Sequence, residues 1–170
     1  MSERMQTFTP NADATDDLRS AFGRFGTGVT IVTVHTPDGP LGMTANSFSS
    51  VSLDPALVLW SPARHSKRHD AFVAAPRFSI HILGADQYAL ALRFAAKGDD
   101  FSGLDWSDGT RGSPTFAGCL ATFECDTYAV HPAGDHSIIL GQIRHAAVQK
   151  SDAPGLMFDR GRFGRFEPKA

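Results

Sequence analysis

The sequence predicts a mainly β protein with a few helices, arranged as an antiparallel barrel rather than a doubly wound parallel sheet. Three observations carry this. Segments rich in β-branched and aromatic residues outnumber helical ones. Most neighbouring strands are separated only by a turn or a short helix. No GxGxxG run follows a strand and no GxxxxGK[ST] loop occurs, so neither classical nucleotide fold fits.

The elements follow in order. Residues 1–15 are polar and acidic without an apolar signal core and read as a flexible N-terminal segment; 16–168 read as one domain. "TDDLRSAFGRFGTG" predicts a helix: Thr15 or Asp16 caps it, Leu18, Phe22 and Phe25 recur at helical spacing, and Gly26 or Gly28 ends it. "GVTIVTVHT" is a β-branched strand closed by the turn "PDGP". "GMTANSFSSVSLDPALVLW" reads as two strands around a Leu-Asp-Pro turn. "SKRHDAFVAAP" is a short helix with a Ser N-cap. "RFSIHIL" is a strand with Phe78, Ile80 and Ile82 on one face and Ser79 and His81 on the other. "DQYALALRFAAKG" is a helix ending near Gly98, and "DDFSGLDWSDGTRGSPTF" is a long loop. Strands at about 118–131 and 137–149 meet at "HPAGD" as a hairpin, and "LMFDRGRFGRFEP" supplies a last strand.

Composition narrows the function classes. With 170 residues, 42% hydrophobic and 20% charged, the chain is long enough for a sizeable core. A formal net charge of −2 gives no electrostatic reason to expect nucleic acid or an anionic membrane as partner. No apolar run approaches the roughly 20 residues a bilayer span needs. The reading is cytoplasmic. Cys119 and Cys125 share neither CxxC spacing nor a disulfide-compatible offset on one strand, and read as buried structural thiols.

The unusual stretch is the strand bearing Thr44, Asn46, Ser47, Ser49, Ser50 and Ser52, with small polar groups on both faces. These match the alternating carbonyls and nitrogens of a flat, uncharged ligand such as an isoalloxazine ring. Small residues also permit tight subunit packing, which is the commoner use of such a strand taken alone. The next segment, "SPARHSKRHDAF", places Arg64, Ser66, Lys67 and Arg68 around an expected helix start, which suits a phosphate. Lys67 and Arg68 also fit a solvated face. His65 and His69 are four apart but lack a third metal ligand in spacing. "GDHSIILGQI" sets a histidine at the start of a strand, either meeting a second ligand or simply bonding Asp135.

Together, "GMTANSFSSVSLDPALVLW", Ser61, "RHS" at 64–66, "RFAAKGDDFSG" and "GDHSIILGQI" closely resemble the short-chain flavin reductases. These are flavin reductase-like, FMN-binding split-barrel proteins, the reductase components of two-component flavin monooxygenases. The resemblance runs from about 18 to 166 and is looser over the basic 64–68 stretch, since the family often has Asn or Cys where this chain has Ser61 or Pro62. It implies a six-stranded, Greek-key-like split β-barrel and a homodimer with flavin near the subunit interface. It also implies hydride transfer from NADH or NADPH to FMN or FAD, with reduced flavin passing by diffusion to an oxygenase component. Carried over by motif, Thr44, Ala45, Asn46, Ser47 and Ser50 would line the flavin ring. Ser61, Arg64 and Ser66 would hold the phosphate, with Lys97 adding a phosphate or adenylate contact. Asp135 and His136 would meet the nicotinamide, with Arg160 and Phe163 shaping that side. No metal is expected. Other split-barrel activities remain as alternatives: reduction of a corrinoid or ferric complex, an electron-carrying flavoprotein without nicotinamide activity, or a ligand-binding module.

Overall fold

The computed structural model describes residues 5–167, so residues 1–4 of the expected N-terminal segment and residue 168 at the end of the expected domain lie outside the described residues. The strands are β1 (Thr27–Gly28), β2 (Thr30–Thr36), β3 (Gly39–Ala45), β4 (Ser49–Leu53), β5 (Ala56–Trp60), β6 (Arg77–Ile82), β7 (Trp106–Asp108), β8 (Pro114–Phe116), β9 (Ala121–Ala133), β10 (His136–Val148), β11 (Leu156–Asp159) and β12 (Arg162–Arg165). The helices are α1 (Thr15–Phe22), α2 (His69–Ala74) and α3 (Tyr88–Ala96).

The main sheet has the order β3-β2-β6-β9-β10-β5-β4, antiparallel throughout. Its two edge strands, β3 and β4, are consecutive in sequence and joined only by Asn46, Ser47 and Phe48. Laid flat, six inter-strand spacings would separate those edges by roughly 29 Å. The chain from Ala45 to Ser49 reaches at most about 14 Å. The sheet must therefore curl until its edges nearly meet, giving a barrel split between β3 and β4. The expected single strand over 42–53 is thus two strands at opposite edges, and the sheet has seven strands rather than six. Phe48 anchors the crossing by stacking on Phe123 of β9, with ring centroids 6.0 Å apart.

The barrel interior is filled by Val32, Val34, Trp60, Phe72, Phe78, Ile80 and Ile139, with the Phe72 ring edge-on to Trp60 at 5.1 Å. Gly141 lies on β10 because a Cβ there would stand 2.4 Å from Phe78 Cζ. A second cluster of Phe94, Phe101 and Phe116 packs α3 and the β8 segment on the outer face. Both faces of β6 are therefore covered, and Ser79 and His81 are as buried as Phe78 and Ile80.

Several local expectations are corrected. Helix α1 is preceded by a 3-10 turn capped by Asn11, whose side chain accepts from the Asp13 and Ala14 N–H groups at 3.0 Å, so neither Thr15 nor Asp16 is the cap. It ends at Phe22, and it buries none of its residues. Helix α2 begins at His69; Ser66 Oγ instead accepts from the Arg68 N–H at 3.3 Å in the preceding turn. The long loop after α3 contains the β7–β8 hairpin, closed by the Ser107–Thr115 pairing. The C-terminal strand is a hairpin, β11–β12, which pairs with β1 to form a small separate sheet. Cys119 precedes β9, so the two cysteines do not share a strand face. Both are free thiols; burial pushes Cys119 up to about 11 and the fully buried Cys125 up to about 12.

Candidate functional site

The split in the barrel gathers most of the sequence-predicted residues. In the β2–β3 hairpin the ladder bonds fall to alternate residues, and Gly42 uses its outward N–H on Gly98 O at 2.8 Å while its carbonyl accepts from Arg68. Thr44, two residues on, points its backbone N–H and C=O to the same open edge, where neither has a partner among the described residues. Its hydroxyl donates to Ala91 O at 2.6 Å, fixing the side chain away from that edge. The Ala45 carbonyl accepts from Thr30 Oγ1 at 2.8 Å, which holds the strand end. The Asn46 side chain is exposed in the crossing.

Ser47 ties the crossing to the opposite wall. Its Oγ accepts from the Ser61 N–H at 2.9 Å and donates to the Ser61 carbonyl at 3.3 Å. The 61–64 segment is clamped in turn to the turn between β9 and β10. Ser137 N–H donates to Pro62 O at 3.1 Å, Arg64 N–H donates to Asp135 O at 2.8 Å, and Ala63 bridges to His136. Thr44–Ser47, Ser61–Arg64 and Asp135–His136 therefore form one connected wall. The Arg64 side chain is exposed and has no carboxylate within 4 Å among the described residues.

The Gly134 backbone adopts φ +63°, which the tight turn requires and glycine supplies. His136 Nδ1 lies 2.8 Å from an Asp135 carboxylate oxygen. A carboxylate only accepts, so Nδ1 carries a proton in this bond, and Nε2 is left without a partner among the described residues. That hydrogen bond from His136 holds the Asp135 carboxyl below its usual range.

The remaining sequence-predicted residues lie on neighbouring segments, and Ser66 is tied to the wall through its N–H, which donates to Ala63 O at 3.1 Å. Ser50 is exposed on β4, paired with Val58. Ser66 Oγ accepts from the Arg68 N–H in the turn before α2 and keeps its own O–H donor, while that helix has only six residues, too short for the anion-binding helix start expected of it. Lys97 is exposed after α3 and ion-paired with Asp99 at 3.7 Å. Arg160 and Phe163 belong to the β11–β12 hairpin. Phe163 lines a pocket of about 150 Å³ together with Thr44, Ala45 and Asn46, which brings that hairpin onto the open end of β3.

Two residues with a role here were missed as such. Arg68 is half-buried and gives its guanidinium to the carbonyls of Gly42, Phe94 and Ala95, tying the 61–68 segment to β3 and α3. Burial lowers its pKa, and its charge serves the fold rather than a ligand. His69 is buried, with Nδ1 2.8 Å from Asp70 and Nε2 2.9 Å from Ser137 Oγ, so α2 buttresses the start of β10 beside His136. Its partner Ser137 is distant in sequence, so the local pattern offers only the His65–His69 spacing. No group of three or more metal-ligating side chains occurs among the described residues.

The lining is neutral and polar near Thr44 and Asn46 and carries an unpaired guanidinium at Arg64, which fits a flat heteroaromatic ring with a phosphate tail. Comparison with known proteins agrees with that chemistry. The model of the flavin reductase like domain matches residues 22–167. FMN reductase (NADH) SmoA of Agrobacterium fabrum is 52% identical over 159 residues, covering 94% of this chain and 90% of that protein. The flavin-dependent monooxygenase reductase subunit HsaB of Mycobacterium tuberculosis is 36% identical over 154 residues, 89% of this chain and 82% of that one. Among solved structures, the Streptomyces globisporus NADH:FAD oxidoreductase SgcE6, in complex with NAD and FAD fragments, superimposes with a TM-score of 0.87. It is 40% identical and covers 96% of this chain and 99% of its own.

Proposed function

The chain belongs to the flavin reductase family, and on that premise we propose that it transfers a hydride from NADH or NADPH to FMN or FAD and releases reduced flavin to an oxygenase component. The observation that carries this reading is the open backbone edge at Thr44, set in a wall that also holds Arg64 and His136.

Flavin, when bound, supplies the hydride-accepting ring system. The chain's part is placement. The free N–H of Thr44 and the amide of Asn46 would serve as donors to the ring's polar edge, where such groups favour added negative charge. Ser47 donates to and accepts from Ser61, so it shapes the crossing and keeps one acceptor lone pair for the ring. Arg64, with its unpaired guanidinium, would hold the phosphate. His136, oriented by Asp135, would position the nicotinamide through its ring nitrogen Nε2. Ser50 would add to the ring contacts, Ser66 to the phosphate contacts, and Lys97 to those of the phosphate or an adenylate.

We further infer a homodimer. Phe22, Phe25 and Leu53 expose 68%, 79% and 97% of their surface, which a second copy or a ligand would cover. No described helix is long and apolar enough to cross a membrane. A cytoplasmic place fits an enzyme drawing on the reduced nicotinamide pool.

Flavin fluorescence tests the binding half of this reading. Titration with protein is expected to quench FMN or FAD emission with saturation at micromolar concentration. An unchanged signal well above that range overturns it.

A further inference from the structure

Arg68, His69 and Phe72 fix the short helix α2 to three different parts of the molecule. Arg68, just before the helix, binds the carbonyls of Gly42, Phe94 and Ala95. Phe72 is buried edge-on to Trp60 of β5, with ring centroids 5.1 Å apart. His69 reaches the start of β10, where its Nε2 lies 2.9 Å from Ser137 Oγ; both residues are buried, at 8% and 7% exposure. Its Nδ1 lies 2.8 Å from an oxygen of Asp70, whose side chain is fully exposed. A carboxylate only accepts, so Nδ1 carries a proton, and in the neutral ring Nε2 accepts from the Ser137 hydroxyl. Carboxylate, imidazole and hydroxyl thus stand in a row. The hydroxyl is buried, so this row does not present a nucleophile to a substrate, and its work is mechanical.

What it holds is the strand start that carries His136. Ser137 is bound twice, by its N–H to Pro62 O at 3.1 Å and by its hydroxyl to His69. Neighbouring side chains on a strand project to opposite faces. Ser137 points inward to α2, and the His136 side chain, 43% exposed, points outward. A roll of the strand start that displaces Ser137 therefore swings His136 the other way. Among the described residues the His136 ring has one partner, the exposed Asp135 carboxylate. That bond orients the ring within its own turn. The His69–Ser137 bond adds a constraint from the core, because α2 is itself anchored through Phe72 and Arg68.

We propose that His69 and Ser137 form a positioning pair for hydride transfer: the buried bond between them sets the start of β10, and with it the place where His136 meets the nicotinamide. The proposal rests on the flavin reductase reading, which gives His136 its ligand. His69 and Ser137 touch neither flavin nor nicotinamide. They act through His136, and the rate depends on them because a small misplacement of a positioning group costs a hydride transfer far more than it costs binding.

The test follows anaerobic flavin reduction at saturating NADH. His69→Leu and Ser137→Ala are each expected to slow it about tenfold, with flavin affinity held within about twofold. His69→Gln, whose side-chain oxygen can accept from the Ser137 hydroxyl in place of Nε2, should recover most of the rate. In the His136→Ala background neither substitution should slow the reaction further, since the pair acts only through that side chain. The double variant His69→Leu/Ser137→Ala leaves neither partner buried and unpaired, so its thermal midpoint should return toward that of the wild type while its rate stays low. Undiminished rates in the single variants overturn the proposal. So do a His69→Gln no faster than His69→Leu, losses that add to that of His136→Ala, or a rate that returns with the midpoint in the double variant. Should a single variant unfold, the double variant and His69→Gln carry the same decision. If the wild type reduces no flavin, or His136→Ala reduces it as fast as the wild type, the flavin reductase reading of this turn fails instead. Nitrogen chemical shifts of the His136 ring then still decide the positioning: a change in His69→Leu that His69→Gln reverses supports it, and no such reversible change overturns it.

Discussion

Arg64→Ala is expected to weaken FMN binding by about 1.5–3 kcal/mol, the size of a charge-assisted hydrogen bond, or roughly ten- to a hundredfold in Kd. The substitution is clean. Structurally Arg64 acts through its backbone N–H, which donates to Asp135 O at 2.8 Å and survives replacement by alanine. Its side chain is exposed with no carboxylate within 4 Å among the described residues. Riboflavin, which lacks the phosphate, should bind the variant as it binds the wild type. Fluorescence titration of both flavins reads the difference. Equal losses for the two would show that Arg64 acts through the 61–64 clamp and not on a phosphate.

Acid is expected to destabilise the fold through His81. This side chain is fully buried on β6; its Nδ1–H donates to Ile31 O at 2.9 Å, and Nε2 has no partner among the described residues. Burial pulls its pKa down from 6.5 to about 4, outweighing the Ile31 hydrogen bond and the charge of Glu124, both of which raise it. Between those values the unfolded chain binds the proton and the folded chain does not, so stability rises with pH through that window. The contribution is whole above the unfolded value and is lost progressively as pH falls toward 4, up to about 3 kcal/mol on a difference of 6.5 to about 4. Thermal midpoints from pH 4 to 7 should fall with acid in the wild type. They should flatten in His81→Gln, even though that variant starts lower. Parallel profiles would assign the acid sensitivity elsewhere. Asp126 and Asp135 titrate below their usual range and so act beneath this window.

Much of the architecture is legible in local sequence, and the failures have a common physical source. β2, β5, β6 and the long β9–β10 hairpin follow from β-branched runs and turn residues that act over short range. The break at Asn46–Phe48 does not. It is imposed by closure, because the two edges of a seven-stranded sheet must meet across three residues, and no local pattern encodes that. The same small polar residues suit both a strand and a sharp crossing. Phe22 recurs at helical spacing on α1, yet stays exposed, since periodicity shows that a face is apolar but not what covers it. The Gly134-Asp135-His136 turn was readable as a unit because its hydrogen bond is between neighbours. The His69–Ser137 bond joins residues 68 apart, so sequence offered only a suggestive His65–His69 pair. Arg68 looked like part of a solvated basic run until its three carbonyl acceptors on β3 and α3 came into view.

Rapid mixing under anaerobic conditions tests the central claim most directly. The protein with FMN, FAD or riboflavin is mixed with NADH or NADPH, and bleaching of the flavin is followed in time. The wild type should reduce at least one flavin with at least one nicotinamide in a saturable, protein-dependent phase. His136→Ala should slow that phase while flavin affinity stays within about threefold, under roughly 0.7 kcal/mol. No bleaching with any pairing, or an undiminished rate in His136→Ala, would contradict the assignment of this split to hydride transfer between nicotinamide and flavin.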